Sequence, residues 1–261
     1  MNVHFGCTLC GKCCHGLRLP LTVDEARAWL RDGHDVQILC EASPALGEPE
    51  DPAGLAAYRR GRSFAADSGT LPLRVVVILA ARFAGACPNL KADMTCGIYD
   101  RRPLVCRIYP AEINPFRELQ PAAKACPPEA WARAQPVLIE DGALVDPLTR
   151  AHIGAYRARD SADARLRERL CGELNIDCAA LADEGFIIYS PARDRLLAAL
   201  ERGSDGDGSS TPAPRAAWRL VSHRRAAVAA LNAVGGVGAL GAPADADCEY
   251  LALRPADAGE G

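Results

Sequence analysis

Eight of the twelve cysteines in this chain fall in two groups, Cys7, Cys10, Cys13 and Cys14 at the start, and Cys87, Cys96, Cys106 and Cys126 far along it. Thiolates are soft, polarisable ligands that select zinc, copper(I) or iron–sulfur clusters, and a Cys-x-x-Cys step can put two sulfurs on one ion or one cluster face. If both groups serve one region, the intervening chain is a long closed loop whose entropic cost metal binding would offset. That requirement shapes the expected fold of the first half more than any helical or strand pattern in it.

Redox setting strengthens the metal reading. Met1 to Gly6 shows no basic segment followed by an apolar stretch, so no secretory signal is expected and the cytoplasm is the default compartment. In a reducing compartment, clustered cysteines are better explained by metal than by disulfides. The net charge of −3 gives no general reason to expect nucleic acid. No run of residues has the length and composition of a membrane span, and the run from Ala226 to Ala242 is mostly Ala and Gly. With only 5% aromatic residues, the core must be built from Leu, Val, Ile and Ala.

Local patterns suggest an α+β protein, predominantly helical with a small β element and an irregular, metal-stapled N-terminal half. Thr22-Val-Asp-Glu25 reads as a capping box that opens a helix with Ala26, Trp29 and Leu30 on its apolar face, ending near Gly33. Residues 41–54 read as a loop and 54–66 as a short helix. The β-branched run in Leu73 to Leu79 reads as a buried strand leading to Cys87, and Ile98-Tyr99 as a second short strand. Asp100 to Pro103 looks like a helix entry, which places Cys106 about one turn into a helix. The organisation expected is a cysteine-cluster metal-binding domain over 1–130, a helical extension over 131–202, a flexible linker over 203–214, and a C-terminal helix and tail over 215–261, with a terminal strand at 248–253.

Cys7-x2-Cys10-x2-Cys13 reproduces the first three ligand positions of the bacterial ferredoxin run, but an immediate Cys14 replaces the expected Cys-Pro. Cys87-Pro88 and Cys126-Pro127 both offer a cysteine before a proline, which stiffens a ligand loop. Two zinc sites are the alternative, since eight thiolates suffice for two tetrahedral ions. Adjacent side chains diverge, so Cys13 and Cys14 are expected to serve different centres, or only one of them to ligate. Spacing does not choose between these arrangements.

The run Phe5-Gly-Cys7-Thr-Leu-Cys10-Gly-Lys-Cys13-Cys14, then Cys87-Pro-Asn-Leu90, Cys96-Gly-Ile-Tyr99-Asp-Arg-Arg-Pro103-Leu-Val-Cys106-Arg107-Ile-Tyr109-Pro110 and Cys126-Pro127, resembles the YkgJ-type cysteine-cluster family, also called the zinc- or iron-chelating CxxCxxCC domain. The resemblance covers residues 5 to 128 and implies metal ligation by all eight cysteines, through an iron–sulfur cluster (4Fe-4S preferred) or zinc. It implies a redox or accessory role, or a structural zinc module for a protein partner. Its link to flagellin lysine N-methylases implies, as an alternative, S-adenosylmethionine-dependent methylation of protein lysines, although no nucleotide-binding loop is recognisable in the matched residues.

Around the cysteines, Arg107 and Tyr109 lie within the motif and are the candidates for tuning the centre from outside its ligand set. Arg101 and Arg102 are more readily surface partners of carboxylates. His15 reads as a neighbour of the site more than a ligand, and His4 as a terminal tether. Cys40, Cys171, Cys178 and Cys248 lack ligand-like spacing and read as small core residues. Gly236-Val-Gly238-Ala-Leu-Gly241 spells a dinucleotide fingerprint but follows a helical pattern rather than a strand, so it is discounted. Arg215, Arg219, Arg224 and Arg225, in a stretch with Trp218, read as the solvated edge of a helix.

Overall fold

The β-branched run builds the centre of the molecule, but on a larger scale than its length suggests. The structure, a computed structural model, describes residues 2–45, 54–205, 217–242 and 247–253. From the N-terminus the chain forms β1 (Val3–His4), β2 (Arg18–Leu21), α1 (Val23–Arg31), β3 (Val36–Pro44), α2 (Leu55–Gly61), β4 (Phe64–Ser68) and β5 (Leu71–Arg82). Strand β5 pairs antiparallel with β3 from Val36↔Ala81 to Pro44↔Leu73. Its other edge is shared by two strands, β4 along its first half and β2 along its second. Because both edges of β5 are occupied and both faces are covered, Val75, Val76, Val77, Leu79, Ala80 and Ala81 are all buried, which is why the run does not alternate.

After the short helix α3 (Leu104–Ile108) come β6 (Val137–Glu140), β7 (Ala143–Leu144), α4 (Pro147–Ala162), α5 (Ala164–Leu174), β8 (Cys178–Leu181), β9 (Gly185–Tyr189) and α6 (Arg193–Asp205). The chain continues through β10 (Arg219–Ser222), α7 (Arg225–Ala233), β11 (Gly238–Leu240) and β12 (Glu249–Ala252). The free edge of β3 takes β9 antiparallel over Ile38 to Cys40 and β8 parallel over Glu41 and Ala42. Strands β8, β10 and β11 then run parallel, with α7 as the crossover between the last two. The result is a nine-stranded mixed sheet, beside a three-stranded sheet of β1, β6 and β7.

This overturns the expectation of a predominantly helical protein with a small β element: the molecule is α/β, with twelve strands and seven α-helices among the described residues. The segment 131–202, expected as a helical extension, contributes four strands, and the helix expected after residue 214 is β10 followed by α7. These strands hold two to five residues each, and apolar runs that short carry no period that distinguishes strand from helix. Ile98-Tyr99 is not a strand, since Tyr99–Arg101 is a single 3-10 turn. Residues 41–44 belong to β3 rather than a loop, and α2 gives way to β4 before residue 66. Of the expected linker, residues 203–205 lie in α6 and 206–214 lie outside the described residues.

Other local readings hold. The Thr22 hydroxyl accepts from Glu25 N at 3.3 Å while the Glu25 carboxylate accepts from Thr22 N at 2.9 Å, closing the capping box of α1. Ala26, Trp29 and Leu30 are buried against the sheet, and Gly33 leaves the helix at φ +88°, where glycine carries no penalty. The terminal strand β12 forms against β9. Residues 236–241 follow α7 and run into β11, the opposite of a strand-to-helix phosphate loop. Among the described residues no helix is long and apolar enough to cross a membrane.

One charged group is packed into the helical layer. Arg167 of α5 is 2% exposed and donates to Asp160 Oδ1 at 2.6 Å, while Arg62, just past α2, donates to Asp160 Oδ2 at 2.9 Å. Asp163, beside them, accepts from Val23 N at 2.9 Å and so ties the start of α1 to the junction of α4 and α5.

Candidate metal centre

Strand β5 does not stop at Arg82 so much as run on into the cysteine region. Phe83 N donates to Leu17 O at 3.3 Å, Gly16 N to Gly85 O at 2.9 Å and Cys87 N to Cys14 O at 2.7 Å, so the backbone zips Cys14 directly against Cys87. Cys87 then opens a tight knuckle. Leu90 N donates to Cys87 O, Lys91 N to Thr95 O and Gly97 N to Asn89 O, and an isolated bridge pairs Leu90 with Cys96. The knuckle therefore folds Cys96 back beside Cys87. The Asn89 amide is also directed at the Cys87 thiol, a contact that favours the thiolate.

Gly11 is where the first cysteine run meets this knuckle. It sits at φ +67°, and a Cβ there would lie 2.8 Å from Met94 Cε and 3.0 Å from Met94 O, so any side chain would push the knuckle away. The turn Lys12–Cys14 that follows is a 3-10 turn. Cys106 reaches the same neighbourhood from α3, whose first amide, Leu104 N, donates to Glu25 Oε1 at 2.7 Å. One carboxylate thus caps α1 with one oxygen and holds the start of the Cys106 helix with the other. Cys87 and Cys106 both pack, with Ile98 and Val105, against the main core.

Cys7 and Cys126 approach from another direction. Phe5 N donates to Pro136 O and Gly6 N to Ala130 O, both at 2.9 Å, and the Phe5 and Trp131 rings lie 5.0 Å apart. The Tyr109 hydroxyl accepts from Ala125 N at 2.9 Å and hydrogen-bonds with the Cys126 thiol. His4 Nδ1 donates to Gln135 O at 2.8 Å, consistent with a terminal tether.

Electrostatics record the same gathering. The Cys13 thiol is pushed up to about 12, first by burial and then by Cys14, Cys7 and Cys10. Cys14 is raised by burial, with Cys87, Cys96 and Cys10 adding to it against a hydrogen bond from Cys13. Cys106 is raised by burial and then by Cys14, Cys13, Cys87 and Cys96. Cys126 is raised by burial, relieved by Tyr109, and raised again by Cys13, Cys10 and Cys7. Mutual repulsion among so many thiols disfavours their ionisation in the metal-free chain, and a bound cation reverses that balance.

As the side chains stand, no three Cys, His, Asp or Glu residues among those described are close enough to hold a metal ion. The donor chemistry fits nonetheless: eight thiols from distant stretches are carried into one region by backbone contacts, with no disulfide between any of them. Other candidates go elsewhere. Arg107 donates from Nε to Arg102 O at 2.9 Å and from Nη2 to Asp100 O at 2.5 Å. The Arg102 guanidinium lies 3.6 Å from the centre of the Tyr99 ring. His15 is exposed, with Nδ1 3.2 Å from Gly11 O. Cys40, Cys171 and Cys178 are buried in the core, and Cys248 packs against it. Arg219 bonds Asp177 and Arg224 bonds Glu184. Glu25, which positions Cys106, carried only a helix-cap signal in the sequence, and Gly11 only the knuckle shape of Cys7-x2-Cys10-Gly11.

Residues 6–127 match the model of the CxxCxxCC family, described as a proposed zinc- or iron-chelating domain. This segment belongs to the CxxCxxCC family. The match begins one residue before Cys7 and ends one residue after Cys126, so the CxxCxxCC region contains all eight clustered cysteines. No curated protein and no solved structure matches the chain.

Proposed function

We propose that this protein is a metal-binding protein whose CxxCxxCC region binds iron in iron–sulfur form, with Cys7, Cys10, Cys13, Cys14, Cys87, Cys96, Cys106 and Cys126 as the thiolates available to it. The observation that carries the reading is the direct backbone contact of the two cysteine groups at Cys14 and Cys87, with Cys96 folded back beside Cys87, Cys106 brought up by the Glu25-held start of α3, and the Cys126 stretch tied to the N-terminal run through Gly6 and Phe5. Iron is favoured over zinc alone because Cys7-x2-Cys10-x2-Cys13 reproduces the first three ligand positions of the bacterial ferredoxin run and Cys126-Pro127 offers a remote fourth. The chain's own residues would supply the thiolates, and the Asn89 amide and Tyr109 hydroxyl would direct hydrogen bonds at two of the sulfurs. A redox or accessory role follows from an iron–sulfur centre placed near the surface.

Iron, zinc and acid-labile sulfide measured on anaerobically purified protein, together with its visible absorption, test this. Brown protein with iron and sulfide in matching amounts is the expected result. Colourless protein with stoichiometric zinc would replace iron–sulfur with a structural zinc module.

A further inference from the structure

The eight cysteines do not converge on a single point. Cys13 and Cys14 are consecutive residues of a 3-10 turn whose thiols hydrogen-bond each other, and they form the seam at which two groupings of cysteines meet. What each faces differs. On the Cys14 side lie Cys87, bonded to it through the backbone, Cys96, folded back by the knuckle, and Cys106, brought in by α3 and the Glu25 carboxylate. Toward Cys13 lie Cys7 and Cys10 of its own run, and Cys126, whose stretch is anchored to the N-terminus by Gly6, Phe5 and Trp131. Cys13 lies at the junction and is felt from both sides.

Resting on the metal-binding reading above, we infer that the region holds two separate four-thiolate centres, one on Cys7, Cys10, Cys13 and Cys126 and the other on Cys14, Cys87, Cys96 and Cys106. A tetrahedral ion or a cubane takes four protein thiolates, so eight cysteines divided in this way leave none over. The first set has ferredoxin-like spacing and the second does not. The Cys13–Cys14 peptide is the only covalent bridge between adjacent ligands of the two centres.

Cobalt(II) titration of the metal-free, reduced full-length chain counts tetrathiolate centres, because each tetrahedral cobalt gives intense visible ligand-field bands. Two equivalents are expected for the natural chain, with one retained in Cys126→Ser and one in Cys96→Ser. Cys126→His, which can still ligate, should keep two equivalents while shifting the bands of one ion only. A single equivalent in the natural chain, abolished by either serine variant, would overturn the division while leaving metal binding intact. Loss of both ions in Cys126→Ser, or altered bands for both in Cys126→His, would also overturn it. No cobalt bound by a folded natural chain would instead refute the metal-binding reading itself.

Discussion

Glu25 ties the fold to the helix that carries Cys106, and its removal should cost more than a helix cap. Its carboxylate accepts from Thr22 N at 2.9 Å and from Leu104 N at 2.7 Å, joining the start of α1 to the start of the helix that carries Cys106. A hydrogen bond to a charged acceptor contributes about 1.5–3 kcal/mol, and for a half-buried carboxylate the lower figure applies, so Glu25→Ala should destabilise by about 3 kcal/mol. Urea unfolding at fixed metal loading measures this. Asp24→Ala is the control, because Asp24 is exposed and its ion pairs with Arg27 and Arg159 are surface pairs that contribute about 0.5 kcal/mol or less. Transfer of metal to a chelator should also quicken in Glu25→Ala, since Cys106 loses its anchor. A Glu25→Ala cost below about 1 kcal/mol, or one matched by Asp24→Ala, would refute the bridging role.

Asp160→Ala removes the close carboxylate partner of both buried Arg167, which keeps Asp163 only at 4.0 Å, and Arg62, which should cost about 3 kcal/mol by urea unfolding. The paired change Asp160→Leu with Arg167→Met should recover most of that, and a double variant no more stable than the single would contradict the account. Because burial and neighbouring thiols raise Cys13 to about 12 and raise Cys14, Cys87, Cys106 and Cys126, the metal-free protein holds these thiols protonated at neutral pH, so metal uptake must release protons. Calorimetric heats of metal binding in buffers of different ionisation enthalpy should differ by more than one proton per ion, and equal heats would exclude this. For an acid raised above its unfolded value, the stabilisation is present at low pH and lost above it, so the metal-free fold should weaken from about pH 9 upward.

The site was more legible than the fold because its signal is chemical rather than periodic. Cysteines at fixed spacing declare themselves without any knowledge of secondary structure, and Tyr109 proves to touch Cys126. Arg107 also has a role that its place in the motif did not suggest: it donates to Arg102 O and Asp100 O and so holds the turn between them. In the fold, the Thr22 to Glu25 cap and the Val75 to Ile78 run were readable because each is a local pattern. Strands such as Cys178–Leu181 and Arg219–Ser222 were not, because four residues become a strand only when a neighbouring strand supplies their hydrogen bonds. The second oxygen of Glu25 escaped for a related reason, since its partner Leu104 is distant in sequence.

Strand β3 is flanked on one side by β5 and on the other by β8 and β9, which come from far later in the chain. Expressing the cysteine-bearing half alone would therefore leave an apolar ribbon with unsatisfied amides and carbonyls along Ile38 to Ala42, a template for self-association. The later residues act as a sheath for that ribbon, whatever else they do, and a fragment intended to isolate the metal-binding half needs them or a substitute.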